Sequence, residues 1–400
     1  MKAVILAAGE GSRMRPLTYT RPKVMLPLAN KPILEHLLTE AAGAGIEEFI
    51  FVVGYHDEQV RDYFGNGDKW GLKIDYKTQR KRLGTADAIK GIKSMVNSNF
   101  LVINGDIIIS KQDITNLTGK SDNTISIKEV KDVSEMGAVE VSGKRIKRIY
   151  EKTTQPPSNM ANVGLYLFTQ AIFNAIAQTT KSIRGEYEIT DSLQLMLEQG
   201  QHIAYQNIDY WLDCSYPWDL LTANEALLAG GEEQNLGEVE DNAVIQGAVS
   251  IGTNTIIRSG CYIVGPVVIG QGCDIGPNCY IRPFTSIGDS CRIGAAVEIK
   301  GSIIMKGSKI PHHSYLGDSV VGENCNFGSG TKIANLRLDK KNVMVSGIDT
   351  KRRKLGAIIG DGVETGVNSC INVGSIIGND TIIGPGAVAS GVISPGSRVF

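Results

Sequence analysis

Ten isoleucines recur at a strict interval of six residues in the second half of the chain, and this spacing constrains the fold most strongly. The series comprises Ile245, Ile251, Ile257, Ile263, Ile269, Ile275, Ile281, Ile287, Ile293 and Ile299. Two positions before each lies a small or β-branched residue, and side chains two apart on a strand share one face. Three six-residue units complete one coil, and stacked coils bury a common core. The period therefore predicts a parallel β-helix over residues 242–400.

The cysteines fit the same period. Cys261 and Cys279 are separated by three repeats, as are Cys273 and Cys291, so each pair is predicted to stack in adjacent coils. None of the seven cysteines forms a C-x-x-C motif, which argues against a zinc ribbon and a disulfide framework. Buried thiols at the small inward position are favoured over a bound metal or a disulfide.

The first half has a different pattern, in which short apolar runs such as Phe49–Val53 and Phe100–Ile103 alternate with helix-like segments such as Thr85–Met95. This alternation predicts an α/β domain around a mainly parallel sheet. We expect that domain to span residues 1–230, with an acidic linker at 231–241.

The charge balance limits the kinds of partner. Lys plus Arg (41) nearly equal Asp plus Glu (42), so no net charge draws the chain to nucleic acid or an anionic membrane. The apolar stretch at the N-terminus is too short for a signal peptide, and no apolar run could span a bilayer. These features predict a soluble cytoplasmic protein whose anion sites are local.

A glycine-containing turn follows the first apolar run, where Gly9 and Gly11 precede Arg13 and Arg15. Glycines at a strand end let backbone N–H groups approach a phosphate. Met14 occupies the place of the third glycine of a dinucleotide fingerprint, and no G-x-x-x-x-G-K-[ST] loop occurs, so neither NAD binding nor a P-loop is favoured.

The motif L-A-A-G-x-G-x-R-M-x-P-L-T, followed by R-P-K-x-x-x-P, resembles the sugar-1-phosphate nucleotidylyltransferase family, whose domain is Rossmann-like. The resemblance implies that Arg13 and Lys23 stabilise departing pyrophosphate and that Gln79 hydrogen-bonds the pyrimidine edge. The implied nucleotide-binding residues are Ala7, Ala8, Gly9, Gly11, Gln79, Gly84 and Thr85.

Further motifs match the same family in order. Asp106 in Asn-Gly-Asp and Asp213 in Trp-Leu-Asp match its two magnesium-binding aspartates. The implied sugar-phosphate residues are Gly137, Glu151, Lys152 and Asn162. Two polyanions must meet in this reaction, so charge neutralisation by Mg²⁺ and cations suits the chemistry better than a covalent nucleophile.

The segment around His312 resembles the glucosamine-1-phosphate acetyltransferase domain of bifunctional uridyltransferases, with His312 at the general base. Arg282 and Lys300, separated by three repeats, follow isoleucines at the same slot of consecutive coils, which suits a sugar phosphate. The other implied residues are Tyr315, Asn326, Asn335 and Lys341 for substrate, and Gly366 and Gly384 for acetyl-CoA. Resemblance to hexapeptide-repeat proteins implies a left-handed helix.

Between Asn335 and Gly360 the chain is about a dozen residues longer than the bacterial pattern and resembles the archaeal form, in which Lys341 is the matching loop lysine. This insertion is rich in Lys and Arg. Its sequence fits a mobile solvated loop as well as a contact to CoA phosphate or to another subunit.

The combined prediction is a bifunctional enzyme, a homotrimer or a multiple of one, that acetylates glucosamine- or galactosamine-1-phosphate with acetyl-CoA and joins the product to UTP, releasing pyrophosphate. Gln79 suits uracil and thymine alike, so the base of the nucleotide, UTP or dTTP, stays open. One alternative is a glucose-1-phosphate thymidylyl- or uridylyltransferase with a non-catalytic β-helix, which Trp211-Leu212-Asp213 favours. A second alternative is a regulatory assembly subunit. The presence of all four charged residues of the transferase site, Arg13, Lys23, Asp106 and Asp213, argues against it.

Overall fold

The computed structural model describes residues 1–134, 136–143, 145–151 and 155–400. They pack as two compact units. The first comprises Met1–Glu10, Arg21–Met25 and Ile33–Asp213, and the second comprises Gly11–Thr20, Leu26–Pro32 and Cys214–Phe400. Each unit combines separate segments of the chain, whereas the predicted domains are continuous stretches. The domain limits at residues 230 and 242 therefore stay a prediction.

The structure has seven α-helices within the described ranges. They are α1 (Ile33–Gly43), α2 (Asp57–Phe64), α3 (Thr85–Lys90), α4 (Lys111–Thr118), α5 (Ile172–Gln178), α6 (Ile189–Glu198) and α7 (Asp219–Ala229). The strands up to residue 213 are β1 (Lys2–Ala7), β2 (Pro27–Leu28), β3 (Lys31–Pro32), β4 (Glu48–Val53), β5 (Lys73–Thr78), β6 (Phe100–Asn104), β7 (Ile107–Ile109), β8 (Thr124–Glu129), β9 (Gly137–Ser142), β10 (Arg145–Glu151), β11 (Met160–Phe168), β12 (Ala204–Asn207) and β13 (Trp211–Asp213). Judged by the described residues, no helix has both the length and the apolar character needed to cross a membrane.

The main sheet of the first unit has the strand order β5-β4-β1-β6-β11-β8-β12-β10-β9. Strands β5, β4, β1 and β6 are mutually parallel, but β11 runs antiparallel to both β6 and β8, and β10 runs antiparallel to β9 and β12. The prediction of a mainly parallel sheet is therefore wrong for half of it. The short link from β9 to β10 forces that pair antiparallel, because parallel neighbours need a long crossover.

The two faces of this sheet carry separate apolar cores. Ala3 and Ile5 of β1 pack with α1, α2 and α4, whereas Val4 packs with α3, α5 and α6. The strand alternation thus places one helix layer on each face. At the carboxyl ends of β1, β4, β5 and β6, the segments that follow the strands meet at one edge, where ligand sites of open α/β sheets form.

The second unit contains three parallel sheets between Gln234 and Val399, which we call the three-sheet region. The first sheet contains Gln234–Asn235, Val249–Ile251, Val267–Ile269, Thr285–Ile287, Ile303–Ile304, Val320–Val321, Ala357–Ile359, Ser375–Ile377 and Val392–Ile393. The second contains Glu238–Val239, Ile256–Ile257, Asp274–Ile275, Arg292–Ala295, Lys309–His312, Asn326–Phe327, Glu364–Thr365, Ile382–Ile383 and Arg398–Val399. The third contains Val244–Gln246, Tyr262–Val264, Tyr280–Ile281, Glu298–Lys300, Tyr315–Gly317, Lys332–Ile333, Cys370–Ile371 and Val388–Ala389.

The strand register reproduces the sequence period, which is consistent with a parallel β-helix. Ile263 pairs with Ile281, three full repeats later, whereas Ile293 pairs with Ile310 after one residue is lost from the coil. The isoleucines from Ile251 to Ile299 are at most 1% exposed. The predicted inward stack is therefore confirmed.

The predicted cysteine stacking is also confirmed at Cys261 and Cys279, whose sulfur atoms lie 3.4 Å apart. Both thiols are free and buried, as are those of Cys273 and Cys291. Burial raises the pKa of Cys291 to about 12. These cysteines fill the core as thiols.

The basic insertion is folded against the rest of the second unit. Met344–Val345 and Ile348–Asp349 form a β-hairpin, and Val343 and Val345 are buried. Arg352 donates to Thr222 Oγ1 and to Glu225 Oε1 of α7, each at 2.8 Å. This part of the insertion is therefore anchored to α7 by Arg352 and is not a solvent-facing loop.

Candidate functional site

The first group of predicted site residues lies where β6 ends. Gly105 follows that strand, and a Cβ there would lie 2.8 Å from the Leu6 carbonyl oxygen, so only glycine fits. The turn presents Asp106, whose Oδ2 accepts from Lys23 Nζ at 2.6 Å. The Lys23 side chain is only 10% exposed and that of Asp106 is 34% exposed, so this ion pair is screened from water on the lysine side.

Asp213 reaches the same place through the antiparallel pair β7 and β13. In that register Asp213 is opposite Ile107, the residue after Asp106. Backbone pairing therefore brings the two predicted metal aspartates to neighbouring positions, although a quarter of the chain separates them in the sequence.

The donor set fits Mg²⁺ better than a metal held by protein alone. Among the residues that the structure describes, no cluster of three or more His, Cys, Asp or Glu side chains could hold a metal ion. Mg²⁺ is commonly bound by one or two carboxylates and completed by water and substrate phosphates. Two carboxylates beside a lysine match that requirement.

The predicted base-reading residues lie at the ends of β4 and β5 and the start of α3. Gln79 N donates to Val53 O at 2.8 Å, and its Nε2 donates to Gly84 O at 3.1 Å. Gly84 has φ +107°, and a Cβ there would collide with the Tyr187 carbonyl oxygen. Thr85 begins α3, and its Oγ1 accepts from Ile189 N at 2.9 Å. Gln79 and Gly84 are thus in contact, while Thr85 supports the α3–α6 junction.

Three predicted sugar-phosphate residues come together around Gly137. A Cβ at Gly137 would lie 3.4 Å from Asn162 Cβ and 3.6 Å from Glu151 Oε2. Glu151 accepts from Thr190 Oγ1 at 3.0 Å and pairs with Arg184 at 2.8 Å. Lys152, predicted with them, lies outside the described residues.

The glycine turn after β1 is divided between the two units. In the first unit Ala7 and Ala8 are buried, and nothing lies within 4 Å of a Cβ built at Gly9. In the second unit Gly11 has φ +65° and opens the 3₁₀ turn Ser12–Met14. Arg13 lies over the ring of Tyr216, 5.3 Å from its centroid.

A second group of predicted residues lies along one edge of the three-sheet region. Lys300 Nζ lies 2.9 Å from Asp318 Oδ1, and Asn335 Nδ2 donates to Asp318 Oδ2 at 2.5 Å and to the Tyr315 hydroxyl at 3.2 Å. Gly317 permits this packing, since a Cβ there would collide with Asn335 Nδ2. Asp318 is thus a buried carboxylate shared by a lysine and an amide.

Arg282 lies on the preceding coil of the same sheet. It donates to Glu298 Oε1 at 2.9 Å and lies 5.5 Å from the centre of the Tyr280 ring. The hydrogen bond to Glu298 raises the pKa of Arg282, and burial raises the pKa of Tyr315 with a smaller contribution from Asp318. The two cations share an edge as predicted, and each carries a carboxylate partner.

His312 ends a strand of the neighbouring sheet, three residues before Tyr315. The side chain is exposed, and Ser314 Oγ donates to the His312 carbonyl at 2.9 Å. His313 turns the corner between them with φ +47°. His312 and Tyr315 therefore flank the same corner of the coil.

The remaining predicted residues are less closely connected to this edge. Asn326 is exposed, and its backbone pairs with Lys309 at the start of the His312 strand. Lys341 is exposed within the insertion. A Cβ at Gly366 would lie 2.5 Å from Pro385 N, and one at Gly384 would collide with Phe400, so close coil packing accounts for both glycines. The acetyl-CoA assignment of Gly366 and Gly384 stays a prediction.

Comparison with known proteins agrees with this geometry. The nucleotidyl transferase family model matches residues 2–230. A "Bifunctional protein GlmU" of Methanococcus maripaludis is 43% identical over 406 residues, covering 100% of this chain and 97% of its own length. The chain belongs to the bifunctional sugar-1-phosphate nucleotidylyltransferase/acetyltransferase family. It is accordingly a transferase, and the predicted family is confirmed.

Other relatives of the family agree in extent. A "Bifunctional sugar-1-phosphate nucleotidylyltransferase/acetyltransferase" of Sulfurisphaera tokodaii is 41% identical, covering 98% of this chain and 97% of its own. The solved structure of a glucose-1-phosphate thymidylyltransferase from Bacillus anthracis matches 59% of this chain and 98% of its own, with 29% identity and a TM-score of 0.53. Residues 263–399 match the model of the GMPPB C-terminal domain.

Sequence reasoning missed several residues that complete these groups. Gly54 lies between two predicted segments, because a Cβ there would be 3.1 Å from both Ala8 O and Gln79 O. Asp87 contacts Gln79, and Glu298 and Asp318 contact the two cations. Asp318 occupies a left-handed position, φ +50°, directly after Tyr315-Leu316-Gly317, and its place in that segment near His312 was the available signal.

Proposed function

We propose that this enzyme acetylates glucosamine-1-phosphate with acetyl-CoA and then joins N-acetylglucosamine-1-phosphate to UTP, giving UDP-N-acetylglucosamine and pyrophosphate. The first reaction would occur in the three-sheet region, a left-handed β-helix, and the second in the first unit. We further propose a homotrimer or a multiple of one. The observation that carries the proposal is the presence of two chemically different groups, one around Lys23 and Asp106 and the other around Lys300 and Asp318.

In the nucleotidyl transfer, an oxygen of the sugar phosphate attacks the α-phosphorus of UTP while pyrophosphate leaves. Asp106 and Asp213 would hold Mg²⁺, which reduces the repulsion between the two phosphates. Lys23 carries a buried positive charge 2.6 Å from Asp106, so it would face the developing negative charge at low solvent screening. Gln79 would read the base, and Glu151 and Asn162 would orient the sugar. Arg13 is assigned to pyrophosphate by resemblance alone.

In the acetyl transfer, the amine of the sugar attacks the thioester carbonyl and CoA leaves as a thiol. The imidazole of His312 would take the amine proton, a task suited to a neutral histidine near pH 7. Arg282 and Lys300 would bind the sugar phosphate by exchanging part of their carboxylate contacts for phosphate oxygens. Tyr315 and Asn335 would position the sugar beside them.

A second function has one specific observation in its favour. The solved structure that matches 59% of this chain carries the name of a glucose-1-phosphate thymidylyltransferase. On that alternative the enzyme activates glucose-1-phosphate and the three-sheet region only assembles subunits.

Substrate assays of the unmodified protein separate the two. We expect free thiol from acetyl-CoA with glucosamine-1-phosphate or galactosamine-1-phosphate, and pyrophosphate from UTP with N-acetylglucosamine-1-phosphate. No thiol with either amino sugar, together with pyrophosphate from glucose-1-phosphate and dTTP, would establish the thymidylyltransferase alternative instead.

A further inference from the structure

Gln79 has two neighbours that both accept hydrogen bonds. Its side-chain Nε2 lies 3.1 Å from Gly84 O and 2.8 Å from Asp87 Oδ2. An amide nitrogen carries two hydrogens, so these two acceptors use both of them. The side-chain carbonyl Oε1 is then the only hydrogen-bonding atom that the Gln79 amide has left for a ligand.

The orientation of this amide is fixed by its surroundings rather than by the labels of two similar atoms. A flip that exchanged Oε1 and Nε2 would place Oε1 against the Gly84 carbonyl and the Asp87 carboxylate, so three acceptors would face each other without a proton. A hydrogen bond to a charged group favours the state that keeps it by about tenfold or more. The carboxylate of Asp87 therefore makes the flipped state rare.

We propose that Asp87 is a positioning residue that sets the base specificity of nucleotidyl transfer. By holding the Gln79 amide, it presents an acceptor to the ring nitrogen N3 of the pyrimidine. Uracil and thymine carry a proton on N3 and donate to Oε1. Cytosine has an unprotonated N3, so its lone pair would meet the lone pairs of Oε1. This inference rests on the proposed function, in which Gln79 reads the base.

The position of Asp87 supports a role beyond helix stability. It lies in the first turn of α3, where any acidic residue interacts favourably with the helix dipole. However, Gly84, the residue before α3, supplies the second acceptor for the same amide, and its φ of +107° directs the chain into that contact. The Gln79 amide is thus held by both Gly84, just before α3, and Asp87, in the first turn of α3.

The test compares kcat/KM for UTP, dTTP and CTP in Asp87→Asn, a change of nearly equal size. An asparagine can present either its oxygen or its amide, so Gln79 can rotate and donate to N3 of cytosine. We expect the UTP:CTP ratio of kcat/KM to fall at least tenfold while the UTP:dTTP ratio stays constant, because both of those bases carry the N3 proton. A purely structural role of Asp87 would lower all three values alike and would overturn the proposal.

Two further variants separate this inference from the function beneath it. Gln79→Ala should also reduce the UTP:CTP ratio, and adding Asp87→Asn to it should change the ratio no further. If Gln79→Ala leaves the ratio unchanged, Gln79 does not read the base and the proposed function of that residue fails. If Gln79→Ala reduces the ratio but Asp87→Asn does not, only the role of Asp87 is refuted.

Asp57→Asn is the matched control. Asp57 is likewise an acidic residue in the first turn of a helix, α2, and its carboxylate pairs with Arg61 at 2.8 Å. It should leave the UTP:CTP ratio unchanged. A fall equal to that of Asp87→Asn would attribute the effect to helix charge and contradict the proposal.

Discussion

The three-sheet region and the first unit place their side chains by different means. In the three-sheet region, a residue's position follows from its place in the repeat, and Ile257, Ile275 and Ile293 stack because three repeats make one coil. In the first unit, Asp106 and Asp213 become neighbours only through the pairing of β7 with β13. The position of a residue in a short repeat can therefore be predicted from the sequence, whereas the pairing of strands that are distant in the sequence cannot.

The largest effect is expected where consecutive coils are closest. Gly294→Ala would drive a Cβ into the backbone carbonyl of Pro311, which cannot move without shifting the next coil. We expect a loss of about 3 kcal/mol in the free energy of unfolding, at the upper end for overpacking. Calorimetry should show a lower Tm for the second unit, while pyrophosphate release persists below that temperature.

Gly230→Ala is the control for this variant, because nothing lies within 4 Å of a Cβ built there. Its effect should remain within about 0.5 kcal/mol. Equal effects of the two substitutions would mean that coil spacing does not limit the stability of the region.

The next effect concerns the buried ion pair of the three-sheet region. Lys300→Met leaves Asp318, whose side chain is 7% exposed, without its cation, and breaking such a pair costs about 3 kcal/mol. The double variant Lys300→Met/Asp318→Asn should recover most of that stability in urea unfolding. Acetyl transfer should stay low in both variants, because the phosphate-binding cation is absent. Recovered activity in the double variant would show that Lys300 is only structural.

A smaller effect should distinguish local from long-range packing. Ile275→Val in the three-sheet region and Ile5→Val in β1 should each cost about 1 kcal/mol. Ile275→Val should increase amide hydrogen exchange only in its own coil and in the two flanking coils, which contain Ile257 and Ile293. Ile5→Val should increase amide hydrogen exchange in β4 and β6, which flank β1 but lie far from it in the sequence. Exchange spread across the whole three-sheet region would contradict the comparison.

The smallest effect concerns Tyr76 of β5, whose pKa is raised to about 12 by burial, with Arg61 opposing the shift. A raised pKa in the folded state gives stability that is fully present below the unfolded value of 10 and is lost as pH rises towards 12. The stability difference between the unmodified protein and Tyr76→Phe should therefore be constant to pH 10 and decrease above it. A constant difference up to pH 12 would exclude the shift.

The sequence predicted the three-sheet region more completely than the first unit. The inward isoleucines and stacked cysteines could be assigned because each depends on a neighbour one coil away. The mixed order of the main sheet was missed, because the insertion of β11 between β6 and β8 leaves no local pattern. The candidate site residues of the first unit were predicted from motifs and stay predictions. The contacts of Asp87, Glu298 and Asp318 were not predicted, since they run across coils or loops.

Two separate reactions, one at the group around Asp106 and one at the group around His312, are what the proposed function requires. The most direct measurement follows thiol release and pyrophosphate release side by side in Asp106→Asn and His312→Ala. We expect Asp106→Asn to lower pyrophosphate release by about 100-fold or more with thiol release intact, and His312→Ala to do the reverse. Loss of both activities in either variant, or of neither in both, would contradict it.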